Sequence, residues 1–264
     1  LGESQSGPAK KALKITNNSK QDVTYTFSYV NALSVENTFT PGAYLSDATV
    51  AFDKASLTVR RGKSGDVKVT ITPPTDPDKG QYGGYIIITG DDGSQYSVPF
   101  AGFVGDYQSI QAITPTTYGF PWLALSYNGS YYGPVTGPAD WVYSMVGEDV
   151  PYLLIHFDHQ VTKLVVQILD ANTGQPIHRE FNTAIYEEYL PRNSTSTGFF
   201  AFAWDGTRLH VEGHHYKQYT SQATKPVPDG QYILVVKALK ALGNPRNPAD
   251  WETWTSPVIA IDRP

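Results

Sequence analysis

The sequence runs Tyr85-Ile86-Ile87-Ile88, then Gly90-Asp91-Asp92-Gly93, then Tyr96-Ser97-Val98-Pro99-Phe100, and this stretch decides the fold class. Two apolar runs, rich in β-branched and aromatic residues, flank a group of glycines and aspartates. Glycine and aspartate tolerate the backbone angles of a tight chain reversal. The stretch therefore predicts a β-hairpin.

The same two-residue period extends toward the N-terminus. Val23, Tyr25, Phe27 and Tyr29 alternate with polar residues, which indicates a strand with one buried face. Two further alternating runs, residues 57–59 and 67–72, are separated by a glycine-containing turn and predict a second hairpin. Up to Phe103 the pattern amounts to about seven short strands, the number in a Greek-key sandwich. We therefore predict an antiparallel β-sandwich, fibronectin type III-like, over residues 1–105.

The second part of the chain, residues 106–264, begins irregularly and then returns to strand periodicity. Residues 106–150 are rich in Tyr, Gly, Pro and Trp. Alternation then recurs at residues 152–157, 164–169, 200–204, 232–239 and 258–261, and Asp-Gly and Asn-Thr-Gly turns punctuate it. The pattern predicts a second, immunoglobulin-like β-sandwich with an aromatic-rich N-terminal segment, so the chain is all-β with two domains.

Composition excludes several classes of protein. Twenty basic and 25 acidic residues give a net charge of −5, so no basic stripe is expected to neutralise nucleic-acid phosphates. The absence of cysteine excludes disulfides, a thiolate nucleophile and cysteine metal sites. No apolar run approaches the roughly 18 to 20 residues of a membrane helix. The opening, Leu1-Gly2-Glu3-Ser4, resembles neither a signal peptide nor a normal initiation, so we expect a fragment of a longer chain.

Two segments carry a family resemblance. The stretch Tyr82-Gly83-Gly84-Tyr85-Ile86, followed by Val98-Pro99-Phe100-Ala101-Gly102, resembles the fibronectin type III-like domain that follows the protease domain in large subtilisin-like proteases. Gly83 and Phe100 stand where that family usually has Ser and Tyr. Trp204-Asp205-Gly206-Thr207 and Val227-Pro228-Asp229-Gly230 look like the immunoglobulin-like module of flagellar hook-capping proteins, a pattern that also closes several secreted fungal subtilases.

The resemblance implies the C-terminal, non-catalytic region of a secreted, fungal subtilisin-like serine protease. Neither a His-Gly histidine nor a Gly-Thr-Ser nucleophile, both parts of such a protease's triad, occurs in the sequence. We therefore expect no enzymatic activity and no cofactor in this chain. The expected partner is the protease domain of the parent chain, which these domains would stabilise while docking protein substrate or cell wall.

Two other functions remain open. A carbohydrate-binding, lectin-like module would use exposed aromatic rings to stack on sugars, and the irregular segment offers Tyr118, Trp122, Tyr131, Tyr132 and Trp141. The competing interpretation of these rings is that they fill a core or a junction between the domains. The third function is a structural spacer or adhesion module.

The remaining motifs do not predict a metal or catalytic site. His210-Val211-Glu212-Gly213-His214-His215 concentrates metal-ligating side chains, but Gly213 and the surrounding β pattern favour an exposed loop, so no metal site is predicted. The Asp91-Asp92 pair lacks a calcium-loop spacing, and Glu187-Glu188, adjacent on a strand, cannot flank one glycosidic bond. Glycosylation sequons at Asn17, Asn128 and Asn193 favour secretion and predict exposed loops.

Overall fold

The structure is a computed structural model, and it describes residues 1–133, 141–210 and 223–264. Strand makes up 52% and helix 4%, which confirms the predicted all-β class. The helical content consists of short 3-10 turns, such as Tyr107–Ser109 and Pro248–Asp250. The chain divides into two compact units, Leu1–Ser109 and Ile110–Pro264. Among the described residues, no helix has the length and apolar character needed to cross a membrane.

The first unit is a two-layer structure with nine strands. These are β1 (Ala9–Thr16), β2 (Val23–Asn31), β3 (Leu33–Glu36), β4 (Gly42–Leu45), β5 (Thr49–Phe52), β6 (Ser56–Val59), β7 (Ser64–Thr72), β8 (Gln81–Gly90) and β9 (Gln95–Phe103). One sheet has the order β1-β7-β5, and the other has the order β4-β3-β8-β2-β6 with β9 paired to β8. Side chains of both sheets meet in one apolar core, which includes Val23, Val50, Val67 and Ile86.

The predicted hairpin is confirmed as the antiparallel pair β8–β9, closed by a hydrogen bond from the amide of Gly93 to the carbonyl of Gly90 (3.1 Å). Its glycines have a packing role. Gly84 lies opposite Phe100, and a Cβ at Gly84 would approach the Phe100 ring to 2.5 Å. Gly102 lies opposite Tyr82 in the same way, with a Cβ at 2.5 Å from the tyrosine hydroxyl oxygen. Each aromatic ring therefore lies across a glycine on the neighbouring strand.

The second hairpin predicted for this unit, over residues 57–72, is wrong. β6 pairs with β2, whereas β7 pairs with β1 and β5 in the other sheet. The chain between them is a crossover from one sheet to the other. The buried side chain of Asn17 holds the end of β6, where the crossover begins, by hydrogen bonds. The Asn17 amide nitrogen donates to the carbonyls of Gln21 and Val59, both at 2.8 Å. Strand periodicity identifies each strand, but only packing decides which partner it takes.

The described residues of the second unit form twelve strands. These are β10 (Trp122–Tyr127), β11 (Ser130–Tyr132), β12 (Val142–Tyr143), β13 (Tyr152–Ile155), β14 (Val161–Asp170), β15 (Thr183–Leu190), β16 (Phe200–Ala203), β17 (Thr207–His210), β18 (Ala223–Pro226), β19 (Gly230–Lys240), β20 (Trp251–Thr255) and β21 (Ile259–Ile261). A four-stranded sheet has the order β11-β10-β13-β16. An eight-stranded sheet has the order β12-β21-β19-β14-β15-β17-β18, with β20 paired to β19.

The core of the second unit lies between these two sheets, and it contains Leu153 and Ile155 from one sheet and Leu164 and Leu234 from the other. Among the strands described for this unit, β12 runs parallel to β21 and the other pairings are antiparallel. The five alternating runs of the sequence correspond to β13, β14, β16, β19 and β21. Their burial alternates along β14 and β19, as the two-residue period requires.

Candidate functional site

An aromatic cluster covers the face of the four-stranded sheet that points away from the core. Leu123 of β10 packs in the core, so its neighbours Trp122 and Ala124 lie on the opposite face. The strand register places Trp122 beside Leu154 and Ala124 beside Tyr152 of β13. These residues form a second, smaller apolar cluster outside the main core, together with Phe120.

Six aromatic rings make up this cluster, and they contact one another in a chain. The ring centroids of Phe120 and Trp122 are 4.8 Å apart, and those of Tyr118 and Trp122 are 6.4 Å apart. Phe199, which precedes β16, connects Phe120 (5.4 Å) to Tyr131 (5.8 Å). The sixth ring, Tyr152, lies 5.3 Å from Tyr131, and the angles between contacting rings range from 43° to 84°.

These angles decide what the cluster can present to a ligand. Rings that are tilted or perpendicular to one another stabilise their own packing through edge-to-face contacts. They do not form the flat shared platform on which several sugar rings could stack together. Tyr118 is nevertheless 55% exposed, and Phe199 and Tyr131 are also exposed, so each offers a separate aromatic surface to solvent.

Buried polar side chains hold the segment that carries Phe199. His156, at the end of β13, is fully buried, and its Nδ1 donates to the carbonyl of Gly198, the residue before Phe199. Its Nε2 lies 2.8 Å from Oδ1 of Asp158. Asn193 adds a second attachment, because its side-chain oxygen accepts from the amide of Phe157 at 2.8 Å. The position of Phe199 in the cluster is therefore set by hydrogen bonds as well as by packing.

A further histidine lies next to this attachment. Burial lowers the pKa of His159, the neighbouring Asp158 opposes this effect, and Arg192 adds to the lowering. The neutral imidazole is therefore favoured in the folded protein.

The structure separates the five residues predicted to bind carbohydrate. Tyr118, Trp122 and Tyr131 belong to the aromatic cluster. Tyr132 is exposed but lies opposite Leu125, whose side chain packs against the main core, so it faces the other side of the sheet. Trp141 is 5% exposed and lies in the main core, where a sugar cannot reach it. The carbohydrate interpretation therefore depends on the first three residues.

Sequence reasoning missed three members of the cluster, Phe120, Tyr152 and Phe199. A signal for Phe120 was available, because it lies in the same Tyr-Gly-Phe-Pro-Trp segment as Tyr118 and Trp122. Tyr152 is predictable only once β13 is known to pair with β10. Phe199 comes from a distant part of the chain, and no local pattern links it to the others.

The three sequon asparagines lie in different environments. Asn128 is exposed, at a turn where its φ is +50°. Asn17 is 1% exposed and its amide nitrogen is engaged in the two hydrogen bonds described above. Asn193 is also buried, and its side chain binds the backbone of Phe157. A glycan is attached through the amide nitrogen, so Asn128 is the position of the three that the fold leaves accessible.

Within the described ranges, no group of three or more His, Asp or Glu side chains is placed to hold a metal ion. The histidine-rich candidate of the sequence falls largely outside these ranges, since residues 211–215 are not described. The Asp91-Asp92 pair lies in the β8–β9 turn, where the carboxylate of Asp92 accepts from the amide and the hydroxyl of Ser94. Hydrogen bonds to Ser94 lower the pKa of Asp92. This carboxylate caps its own turn.

The first unit is where a family match falls. Residues 1–101 match the family model of the Fn3-like domain, so this part of the chain is similar to Fn3-like domains.

Comparison with curated proteins extends the similarity to both units. The chain is 23% identical over 286 residues to the PI-type proteinase of Lactococcus lactis subsp. cremoris, and the match covers 90% of this chain and 15% of that protein. The PII-type proteinase of the same organism is 23% identical over 278 residues, covering 90% of this chain and 14% of its own length. The chain thus spans about 15% of the length of these relatives. Both are bacterial, and the fungal source expected from the sequence stays a prediction.

Solved structures show only distant likeness. The ASH/PapD-like domain of human CEP192 gives a TM-score of 0.29 at 13% identity, covering 38% of this chain and 72% of that one. The E. coli chaperone DraB gives 0.28 at 10% identity, covering 99% and 91%. Likenesses at this level support no conclusion about function.

Proposed function

We propose that this chain is a non-catalytic accessory region of a secreted subtilisin-like serine proteinase. Its role is to stabilise the proteinase domain of the same polypeptide and to dock protein substrate or cell wall. The observation that carries the proposal is the alignment with two proteinases over 90% of the chain, which includes most of both units. The Fn3-like family match of residues 1–101 supports the same role.

The chemistry of the sequence agrees with an accessory role. A serine proteinase needs a histidine and a serine brought together with an aspartate. The most enclosed histidine described, His156, binds the carbonyl of Gly198 and the carboxylate of Asp158. These contacts engage both ring nitrogens, so this histidine serves to hold the chain.

Active-site labelling tests the proposal. We expect the 264-residue chain neither to cleave casein nor to react with a serine-directed fluorophosphonate. The polypeptide encoded by the complete reading frame is expected to do both. Stoichiometric labelling of any serine within this chain would overturn the non-catalytic assignment. A reading frame without a proteinase domain would overturn the accessory role.

A second candidate function, carbohydrate binding, is favoured by one observation: Tyr118, Tyr131 and Phe199 stay exposed within one aromatic cluster. Because the rings are tilted, each would stack separately, at about 1 kcal/mol per ring, so three rings would supply about 3 kcal/mol and the dissociation constant would lie in the millimolar range. If neither this function nor the accessory role holds, the spacer function remains.

Isothermal titration with cell-wall oligosaccharides tests this candidate. Binding by the unmodified chain should weaken in Tyr118→Ala and Trp122→Ala. It should persist in Tyr189→Ala, which removes an exposed tyrosine of the eight-stranded sheet. Absence of binding by the unmodified chain would end the carbohydrate interpretation.

A further inference from the structure

The outward-facing strand side chains on one face of the first unit carry no charge. In the sheet formed by β2, β3, β4, β6, β8 and β9, residues such as Tyr82, Ile86 and Ile88 point into the core. Their neighbours along each strand therefore point outward. The register identifies the outward positions as every second residue of each strand, for example Thr26 on β2, Ile87 on β8 and Ser97 on β9. None of these strand residues is Asp, Glu, Lys, Arg or His.

Large apolar side chains are concentrated on one half of this face. Val30, Tyr85 and Pro99 are cross-strand neighbours on β2, β8 and β9. Leu33 of β3 pairs with Leu45 of β4. All five are exposed, with Val30 at 57% and Leu45 at 73%. We call this set of residues, together with Val35, the apolar face.

The other sheet of the same unit shows the usual composition of a solvated surface. The outward residues of β1 include Lys10 and Lys14, and those of β7 include Asp66 and Lys68. The strands of the two sheets thus differ in the side chains that they turn outward, which include charged residues on one sheet and none on the other. Solvent contact alone gives no reason for the difference, since strands that face water ordinarily carry charged residues.

We propose that the apolar face is the docking surface for a domain of the same polypeptide other than the two units of this chain. Contiguous exposed apolar patches are uncommon on proteins that function alone, and they mark interaction surfaces. Loss of charged residues is a feature of interface cores, and permanent interfaces are more apolar than transient ones. The chain corresponds to about 15% of the length of its relatives, so a protein built like them has many further residues available as a partner.

A domain of the same polypeptide fits this face better than a separate partner. A covalently linked domain is present at an effective concentration in the millimolar range and covers the face as soon as both have folded. A separate partner would leave the same residues open to aggregation whenever it dissociated. If the function proposed above is correct, the linked domain is the proteinase domain, so this identification rests on that proposal.

Cysteine labelling tests the docking surface directly, because the chain has no cysteine of its own. Val30→Cys places a thiol on the apolar face, and Val146→Cys places one at a similarly exposed valine of the second unit as a matched control. Maleimide reaction at each position is followed by mass spectrometry, in the 264-residue chain and in the complete polypeptide. Leu45→Cys provides a second probe of the face in case Val30→Cys fails to fold.

In the 264-residue chain, Val30→Cys and Val146→Cys should react at similar rates. In the complete polypeptide, we expect the thiol at position 30 to react at least tenfold more slowly and the control to be unchanged. Equal rates at position 30 in both proteins would overturn the proposal. Protection that already occurs in the 264-residue chain would also overturn it, because it would assign the face to a second copy if it increases with concentration and to the second unit if it does not. Labelling does not depend on peptidase activity, so a failed proteinase assignment would be recognised separately.

Discussion

Replacing Trp204 with alanine should destabilise the second unit more than most single substitutions. The side chain is 1% exposed in the main core, with its ring perpendicular to that of Tyr232 at 6.4 Å. Its Nε1 donates to the carbonyl of Thr207 at 2.6 Å, across the Asp205-Gly206 turn. Truncation of a buried aromatic side chain costs about 3–5 kcal/mol, and the Thr207 carbonyl loses its donor as well. A typical domain has only about 5–15 kcal/mol of stability.

Differential scanning calorimetry measures the effect. For a unit of this size, each kcal/mol lowers the midpoint by about 2–4 °C, so Trp204→Ala should lower the unfolding temperature of the second unit by roughly 10 °C. Trp204→Phe keeps a buried ring and loses only the N–H donor, so its decrease should be clearly smaller. An unchanged midpoint in Trp204→Ala would show that this indole does not contribute to the core, and would refute the reasoning.

Three further outcomes are expected. Asn17→Ala should lower the stability of the first unit by about 1–3 kcal/mol in urea titrations, because the Val59 carbonyl loses a buried donor; a loss equal to that of Asn18→Ala, at the exposed neighbouring position, would contradict this role. Gly84→Ala should cost about 1–3 kcal/mol, since its Cβ would meet the Phe100 ring and the Val30 carbonyl oxygen, and the part due to the ring should disappear in a Phe100→Leu background; fully additive effects in this double-mutant cycle would argue against the ring contact. For His159, the pKa in the folded state is lowered below the ordinary 6.5, so the unfolded chain takes up the proton first as the pH falls. The free energy of unfolding should therefore decrease from about pH 7 downward, and less so in His159→Gln; identical pH profiles of the two proteins would refute the assignment.

The positions of most strands could be predicted from the sequence, because a two-residue hydrophobic period is a local property. The pair β8–β9 shows this best, since its turn residues, its apolar runs and its glycine–aromatic pairs all lie within about 20 residues of one another. The partner strands of β6 and of β7 could not be predicted from the sequence. A short glycine-containing turn is compatible with a hairpin and with a crossover, and the crossover found here is held by a hydrogen bond from Asn17, which lies 42 residues from Val59 in the chain.

For the aromatic cluster and the apolar face as well, part of the arrangement follows from the local sequence and part from the tertiary structure. The local sequence determines that the segment around Trp122 is aromatic. It also determines that no strand residue on the outer face of β2, β8 and β9 is charged. Only the tertiary structure decided that Trp141 enters the core, that Phe199 joins Tyr131 on the outer surface, and that Val30, Tyr85 and Pro99 lie side by side. Periodicity assigns a side chain to one of two faces of a strand, whereas long-range pairing decides which residues share that face and whether anything covers it.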